Sequence, residues 1–259
     1  VHATSFIDAV LGIADYQKAR VIFDVLTTAP LISPKLAPLG TLFALPEEMQ
    51  QLVESHVGSI RALLPPDAPA EVRSHFDDVA WIPSDLRANA PLADLVVVGP
   101  PTEWAIDWLR RHVIETLLLT SGTPLLLLPA AGTLTAVNHA VLGWKAGAAA
   151  TRALHELIHL AAPGARIDVV AVKHGLGDRP ESAIEPVIAM LKPHGFQIAG
   201  HALPSDEAPQ DALSAFALEA GADLLAIGGF AHSRLREIIL GGVTSSLIHD
   251  PRLPILLAH

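Results

Sequence analysis

Glycines close to small hydroxyl residues are the first candidates for chemistry in this chain. Late in the sequence the apolar run Leu224-Leu225-Ala226-Ile227 gives way to Gly228-Gly229-Phe230-Ala231-His232-Ser233, and further on to Gly241-Gly242-Val243-Thr244-Ser245-Ser246. A glycine turn after a buried strand lets the backbone approach a phosphate, and a helix opening there offers free N–H groups at the positive end of its dipole. Gly241 and Gly242 with Thr244, Ser245 and Ser246 would add a second set of donors. The same residues also read as plain punctuation, with Ser233 as a helix cap and Gly241-Gly242 as a helix break.

A second pattern, His155-Glu156-Leu157-Ile158-His159, matches His-Glu-x-x-His. On a helix it sets two imidazoles one turn apart to hold zinc, with the glutamate as base, which would make the chain a zinc hydrolase. Two features oppose that reading. No third ligand is defined, and Leu154, Leu157, Ile158 and Ala161 form the core face, which leaves His155 and His159 on the outer flank. Neither a Gly-x-Ser-x-Gly elbow, nor a Walker A lysine loop, nor a Gly-x-Gly-x-x-Gly fingerprint occurs. No catalytic residue and no metal are therefore expected, and Trp104, Trp108 and Trp144 read as core or interface anchors.

The elements that carry these residues repeat. Ala93-Asp94-Leu95-Val96-Val97-Val98-Gly99 returns as Ala222-Asp223-Leu224-Leu225-Ala226-Ile227-Gly228, 129 residues on, and Pro124, ahead of Leu125-Leu126-Leu127-Leu128, returns as Pro254, 130 residues on. Two landmarks sharing one period mean a duplication, with domains at 1–132 and 133–259. In the second half, continuous apolar runs at 140–143, 167–172, 196–199, 224–227 and 255–257 predict strands buried on both faces. Between them, 148–162, 181–191, 210–220 and 233–249 have helical spacing. Alternation of this kind implies an α/β fold, an open doubly wound and mainly parallel sheet of five strands in each domain.

The first half follows more loosely, with strands at 21–26 and 94–98, helices at 46–64 and 103–119, and an extended segment at 72–81. Residues 1–2 read as the tail of a first strand, ahead of a short helix, as if residues were missing there. The Pro-rich stretch 29–45 has no counterpart in the second half.

Composition narrows the classes of partner. Without cysteine there is no disulfide, iron–sulfur cluster or Cys-ligated zinc. Seventeen basic against 27 acidic residues, a charge of −10 and a pI near 5.6 leave no phosphate-neutralising footprint, so nucleic acid is not expected. Mean hydropathy is high at +0.42, yet the densest apolar stretch, 114–131, is cut by Thr120-Ser121-Gly122-Thr123-Pro124. No membrane span is expected, and with no signal peptide at the start the chain reads as cytoplasmic.

Asp223 to Thr244, closing with Leu253-Pro254-Ile255-Leu256-Leu257, resembles the C-terminal signature of universal stress proteins, of the kind with two such domains in one chain. The resemblance implies a Rossmann-like fold of the adenine nucleotide alpha hydrolase type and a stress-response role exercised by binding, with little or no turnover. It implies ATP as the ligand of the second domain, with Gly228, Gly229, Ala231, His232, Gly241, Gly242, Val243 and Thr244 as the binding residues. Three positions depart from the family pattern: Ala231 replaces the second signature glycine, Gly242 the hydroxyl residue after the third, and Lys145 an acid near the base or ribose.

In the first half Gly99-Pro100-Pro101-Thr102-Glu103-Trp104 sets two residues without an N–H, and an acid, where a phosphate loop would be, so no nucleotide is expected there. The resemblance also implies that the last strands, 125–128 and 255–257, pair as an intramolecular pseudo-dimer seam, beyond which two chains could form a homodimer. Two functional readings stay open beside the zinc one: an adenine-nucleotide binder, and a nucleotide-free member that binds a small apolar ligand or a protein partner.

Overall fold

The computed structural model describes residues 2–28, 47–77, 81–130, 134–173, 180–204, 208–228 and 245–259. Its first element is helix α1 (His2–Gln17), in which Ile7, Val10, Ile13 and Ala14 recur at three- and four-residue spacing and are buried. This corrects the expectation of a strand tail and a short helix, because His2 is already helical and the helix runs for 16 residues. Gly12 inside it answers to packing: a Cβ there would stand 3.0 Å from the Thr135 methyl group.

Strands β1 (Val21–Thr28) and β2 (Ala70–Asp77) pair in parallel, from Val21 opposite Ala70 to Thr28 opposite Asp77, as a separate two-stranded sheet. Helix α2 (Glu47–Leu63) lies between them in sequence. Then follow α3 (Ile82–Asn89), β3 (Val96–Val98), α4 (Asp107–Thr120) and β4 (Leu125–Leu127). The second half supplies β5 (Val137–Gly143), α5 (Ala148–Leu160), β6 (Ala161–Lys173), α6 (Pro180–Leu191), β7 (Gln197–Pro204), α7 (Pro209–Glu219), β8 (Leu224–Gly228), α8 (Ser245–His249) and β9 (Ile255–Ala258).

Seven strands join in the order β3-β4-β9-β8-β5-β6-β7. Every pairing is parallel except β4 with β9, where Leu125, Leu126 and Leu127 face Leu257, Leu256 and Ile255. The seam expected between the last strands of the two halves is therefore present, and it closes one edge of each half against the other. Alternate residues of these strands enter two different cores. Leu126, Leu142, Ala226 and Leu256 pack with Ile7 of α1, Leu154 of α5 and Leu191 of α6, while Leu125, Val141, Leu225 and Ile255 pack with Ile82 of α3, Val113 of α4 and Ala217 of α7. Helices on both faces of a mainly parallel sheet make the fold the doubly wound α/β type that the continuous apolar runs implied.

Differences lie mostly in the first half. The second half has its five strands, whereas the four described strands of the first half split between the long sheet and the β1–β2 pair. The extended segment expected at 72–81 ends as a strand at Asp77, and α3, which the sequence reading did not anticipate, begins at Ile82 with Pro83 in its first turn. A turn of 3-10 helix at Pro101–Glu103 delays α4 to Asp107. In the second half α5 stops at Leu160 because the chain passes directly into β6. The Pro-rich stretch 29–45, the domain join at 132/133 and most of the helix expected at 233–249 lie outside the described residues. No helix of the described residues is long and apolar enough to cross a membrane.

Candidate functional site

Central strands β5 and β8 lie side by side with Gly143 opposite Ile227, so their carboxyl ends open at one place, where ligands sit in doubly wound folds. Trp144, Lys145 and Gly147 leave β5 and lead into α5, while Gly228 ends β8. The requirement for glycine at 228 is steric. A Cβ there would lie 2.3 Å from the backbone nitrogen of Ala150 and 2.6 Å from the carbonyl carbon of Ala149, so β8 ends pressed onto the first turn of α5. Neither partner can yield, since both are backbone.

That contact brings a helix N-terminus to the strand ends. The N–H groups of Ala148, Ala149 and Ala150 have no acceptor within α5, and Gly147, the residue before the helix, makes no side-chain cap. Ala149 and Ala150 are buried under Gly228, whereas Lys145, Gly147 and Ala148 are exposed. The exposed Ala148 at the positive end of a 13-residue helix dipole, with the exposed Lys145 in the preceding turn, thus lies beside the end of β8. These groups fit an anion; the carboxylate that the family pattern places near a ribose is absent, Lys145 standing in its stead. Trp144 packs against the core that includes Ile7, Leu154 and Leu191, and its buried Nε1 has no hydrogen-bond partner.

Of the residues expected to hold a ligand, only Gly228 falls among the described ones. Gly229, Ala231, His232, Gly241, Gly242, Val243 and Thr244 lie outside them.

The corresponding place in the first half is filled. A Cβ at Gly99, which follows β3, would be 3.3 Å from the Phe6 ring of α1. Beside it Ser5, Phe6, Pro100, Thr102, Glu103 and Leu128 line a cavity of about 10 Å³. That is room for about one water molecule. Glu103 Oε1 is buried without a partner, the wrong charge for a phosphate.

His155 and His159 are exposed on the outer flank of α5, as their spacing against the core face implied. Among the described residues no group of three or more His, Asp or Glu is placed to hold a metal ion. Of the three tryptophans read as anchors, Trp104 and Trp144 pack against the two cores, but Trp108 is 47% exposed.

Sequence reasoning missed a polar network on the α7 side of the sheet. Asp168 of β6 is fully buried, its Oδ2 lying 2.7 Å from Nε2 of His139 on β5 and its Oδ1 2.9 Å from Nε2 of His201 on β7, with the Arg166 guanidinium 3.0 Å away. The His201 ring rests on Phe216 of α7, ring centres 4.9 Å apart. Burial alone would raise the Asp168 carboxyl, but hydrogen bonds from His139, His201 and Arg166 outweigh it and hold the group below its ordinary 3.8. The network ties three strands together. A sequence signal existed, since an acid inside the otherwise apolar run 167–172 requires partners.

At the opposite, amino ends of β5 and β8 a groove of about 470 Å³ runs past Leu134, Asn138, Leu218, Asp223, Arg252 and Pro254. Asp223 is engaged there in holding the backbone N–H groups of Asn138 and His139, each at 2.9 Å.

No family model matches the chain, and no curated protein is similar to it. Solved structures are. A universal stress protein from Archaeoglobus fulgidus DSM 4304 superimposes with a TM-score of 0.70 over 96% of this chain and 90% of its own, at 16% identity. For a candidate universal stress protein from Pseudomonas aeruginosa UCBPP-PA14 the TM-score is 0.56, over 97% of this chain and 87% of that one, at 12% identity. A universal stress protein described in complex with cAMP matches 48% of this chain and 98% of its own at 23% identity, with a TM-score of 0.40. The chain has the fold of the two full-length proteins over both of its halves.

Proposed function

We propose that this chain is a tandem universal stress protein that acts by binding, its second half taking the phosphates of an adenine nucleotide at the carboxyl ends of β5 and β8 and its first half taking none. The observation that carries this reading is the seating of Gly228 on the first turn of α5, which brings that helix N-terminus, with exposed Ala148 and Lys145 beside it, to one strand end. An anion there is stabilised by helix-terminal N–H groups and by a neighbouring cation. Occupancy, rather than turnover, would be the signal in a cytoplasmic stress response, and no residue is assigned a catalytic role.

Calorimetric titration of the full chain with ATP, and separately with cAMP, tests the proposal. Saturable binding is expected for at least one of them, and Lys145→Ala should weaken it by roughly two- to fivefold, the effect of removing one exposed charge near a phosphate. Gly228→Val is not a discriminating variant, because its side chain would collide with α5 whether or not a ligand binds there.

A second reading rests on Ala231, Gly242 and Lys145, which depart from the nucleotide-binding pattern. In it the protein is a nucleotide-free member that holds a small apolar ligand or a protein partner. Wild-type protein that binds neither nucleotide at millimolar concentration would support this second reading and overturn the first.

A further inference from the structure

Arg110 lies on α4 in the first half and is only 3% exposed. Its Nε donates to the carbonyl oxygen of Gly99, at 2.9 Å, just past the end of β3, and its Nη1 donates to the carbonyl oxygen of Ile248 in α8 of the second half. Nη2 is buried with no partner. Burial depresses the guanidinium to about 10, against the opposing pull of Asp250. A buried cation with an orphaned donor is a poor device for stability alone, since an apolar side chain of similar length would fill the space without desolvating a charge.

Beyond Arg110, the core that holds α8 also holds the residue before the candidate site. Leu247 and Ile248 of α8 are buried in the same core as Ile227 of β8 and Leu257 of β9. Ile227 precedes Gly228, whose backbone abuts Ala149 and Ala150. We infer that Arg110 is a positioning residue through which the first half fixes the floor of the second half's binding site, gripping Gly99 on one side and α8 on the other. This gives the first half a task although its own strand-end cavity is filled. The inference rests on the binding site proposed above only for its effect on affinity, because the coupling itself is a property of the ligand-free chain.

Amide hydrogen exchange of the full ligand-free chain, compared with Arg110→Met and Arg110→Lys, tests it. Met donates to neither carbonyl, and Lys offers its donors from a single nitrogen in place of the spaced Nε and Nη1 of the guanidinium fork. Exchange should quicken about tenfold at residues 245–249, 226–228 and 149–151, with β6 and β7 unchanged. An even rise over the whole sheet would mean a merely structural tie, and a rise confined to 245–249 would mean that α8 does not reach the site; either overturns the inference. ATP titrations separate the two proposals. If wild type binds and the variants bind about tenfold more weakly, the coupling reaches the ligand. Equal affinities in wild type and variants overturn the inference and leave the site standing, and a wild type that binds nothing overturns the site while the exchange pattern still decides on Arg110.

Discussion

Gly228 and Asp168 exemplify what single residues reveal and conceal. A glycine after a buried run is visible in the sequence, but its cause is not: the expected reason was a phosphate, and the structure adds the α5 backbone 2.3 Å from any Cβ. Gly228→Ala should therefore cost about 3 kcal/mol by overpacking. Gly221→Ala, where the backbone has φ +67 but open space, should cost only about 1–2 kcal/mol. Urea unfolding of both variants checks the ranking. Asp168 stayed hidden because His139 and His201 lie 29 and 33 residues from it and meet it only through sheet register. Its carboxyl is depressed in the folded state, so its contribution is present above its unfolded value near 3.8 and fades as pH falls through the lower folded value. Asp168→Ala should cost about 3 kcal/mol at pH 7, stranding two imidazoles and a guanidinium, and the gap from wild type should narrow below pH 3.8. An equal gap at both pH values, measured by urea unfolding, would contradict this.

At the scale of elements, strands with continuous apolar runs were legible and the segments between them less so. β5, β8 and β9 fall within a few residues of their expected places, and β6 contains its expected run but starts six residues earlier, because burial on both faces leaves an uninterrupted hydrophobic signal. α3 escaped because it is short and polar on average, with Pro83 in its first turn where a proline is tolerated but reads as a break. α1 was underrated although its buried residues, Ile7, Val10, Ile13 and Ala14, keep helical spacing along one face. The β4–β9 seam was an implication of the family resemblance, and the repeated proline marked only where each last strand begins. Leu256 is fully buried on it, and Leu256→Asp should cost about 4 kcal/mol or more by burying an unpaired charge. Leu126→Ala, a gentler probe of the facing position, should cost about 2–4 kcal/mol. Calorimetric melting of either variant should show the two halves separating into distinct transitions; one sharp transition in both would argue against the seam as the joint between them.

The whole molecule is asymmetric in structure although duplicated in sequence. One sheet of seven strands runs through both halves, with five strands from the second and two from the first. Gly228 of the second half is seated on the first turn of α5, whereas Gly99 of the first half packs under Phe6, beside a cavity of about 10 Å³ lined by Pro100 and Glu103. The sequence carried most of this asymmetry in its two prolines and its acid, but the packing of Phe6 against Gly99 depends on α1 folding back onto β3 and could not be read from spacing. Counting nucleotides per chain therefore tests the account most directly. Native mass spectrometry of the intact 259-residue chain in the presence of ATP should show one nucleotide per chain. Two per chain would contradict the filled first half, and none at saturating concentration would contradict the nucleotide site itself.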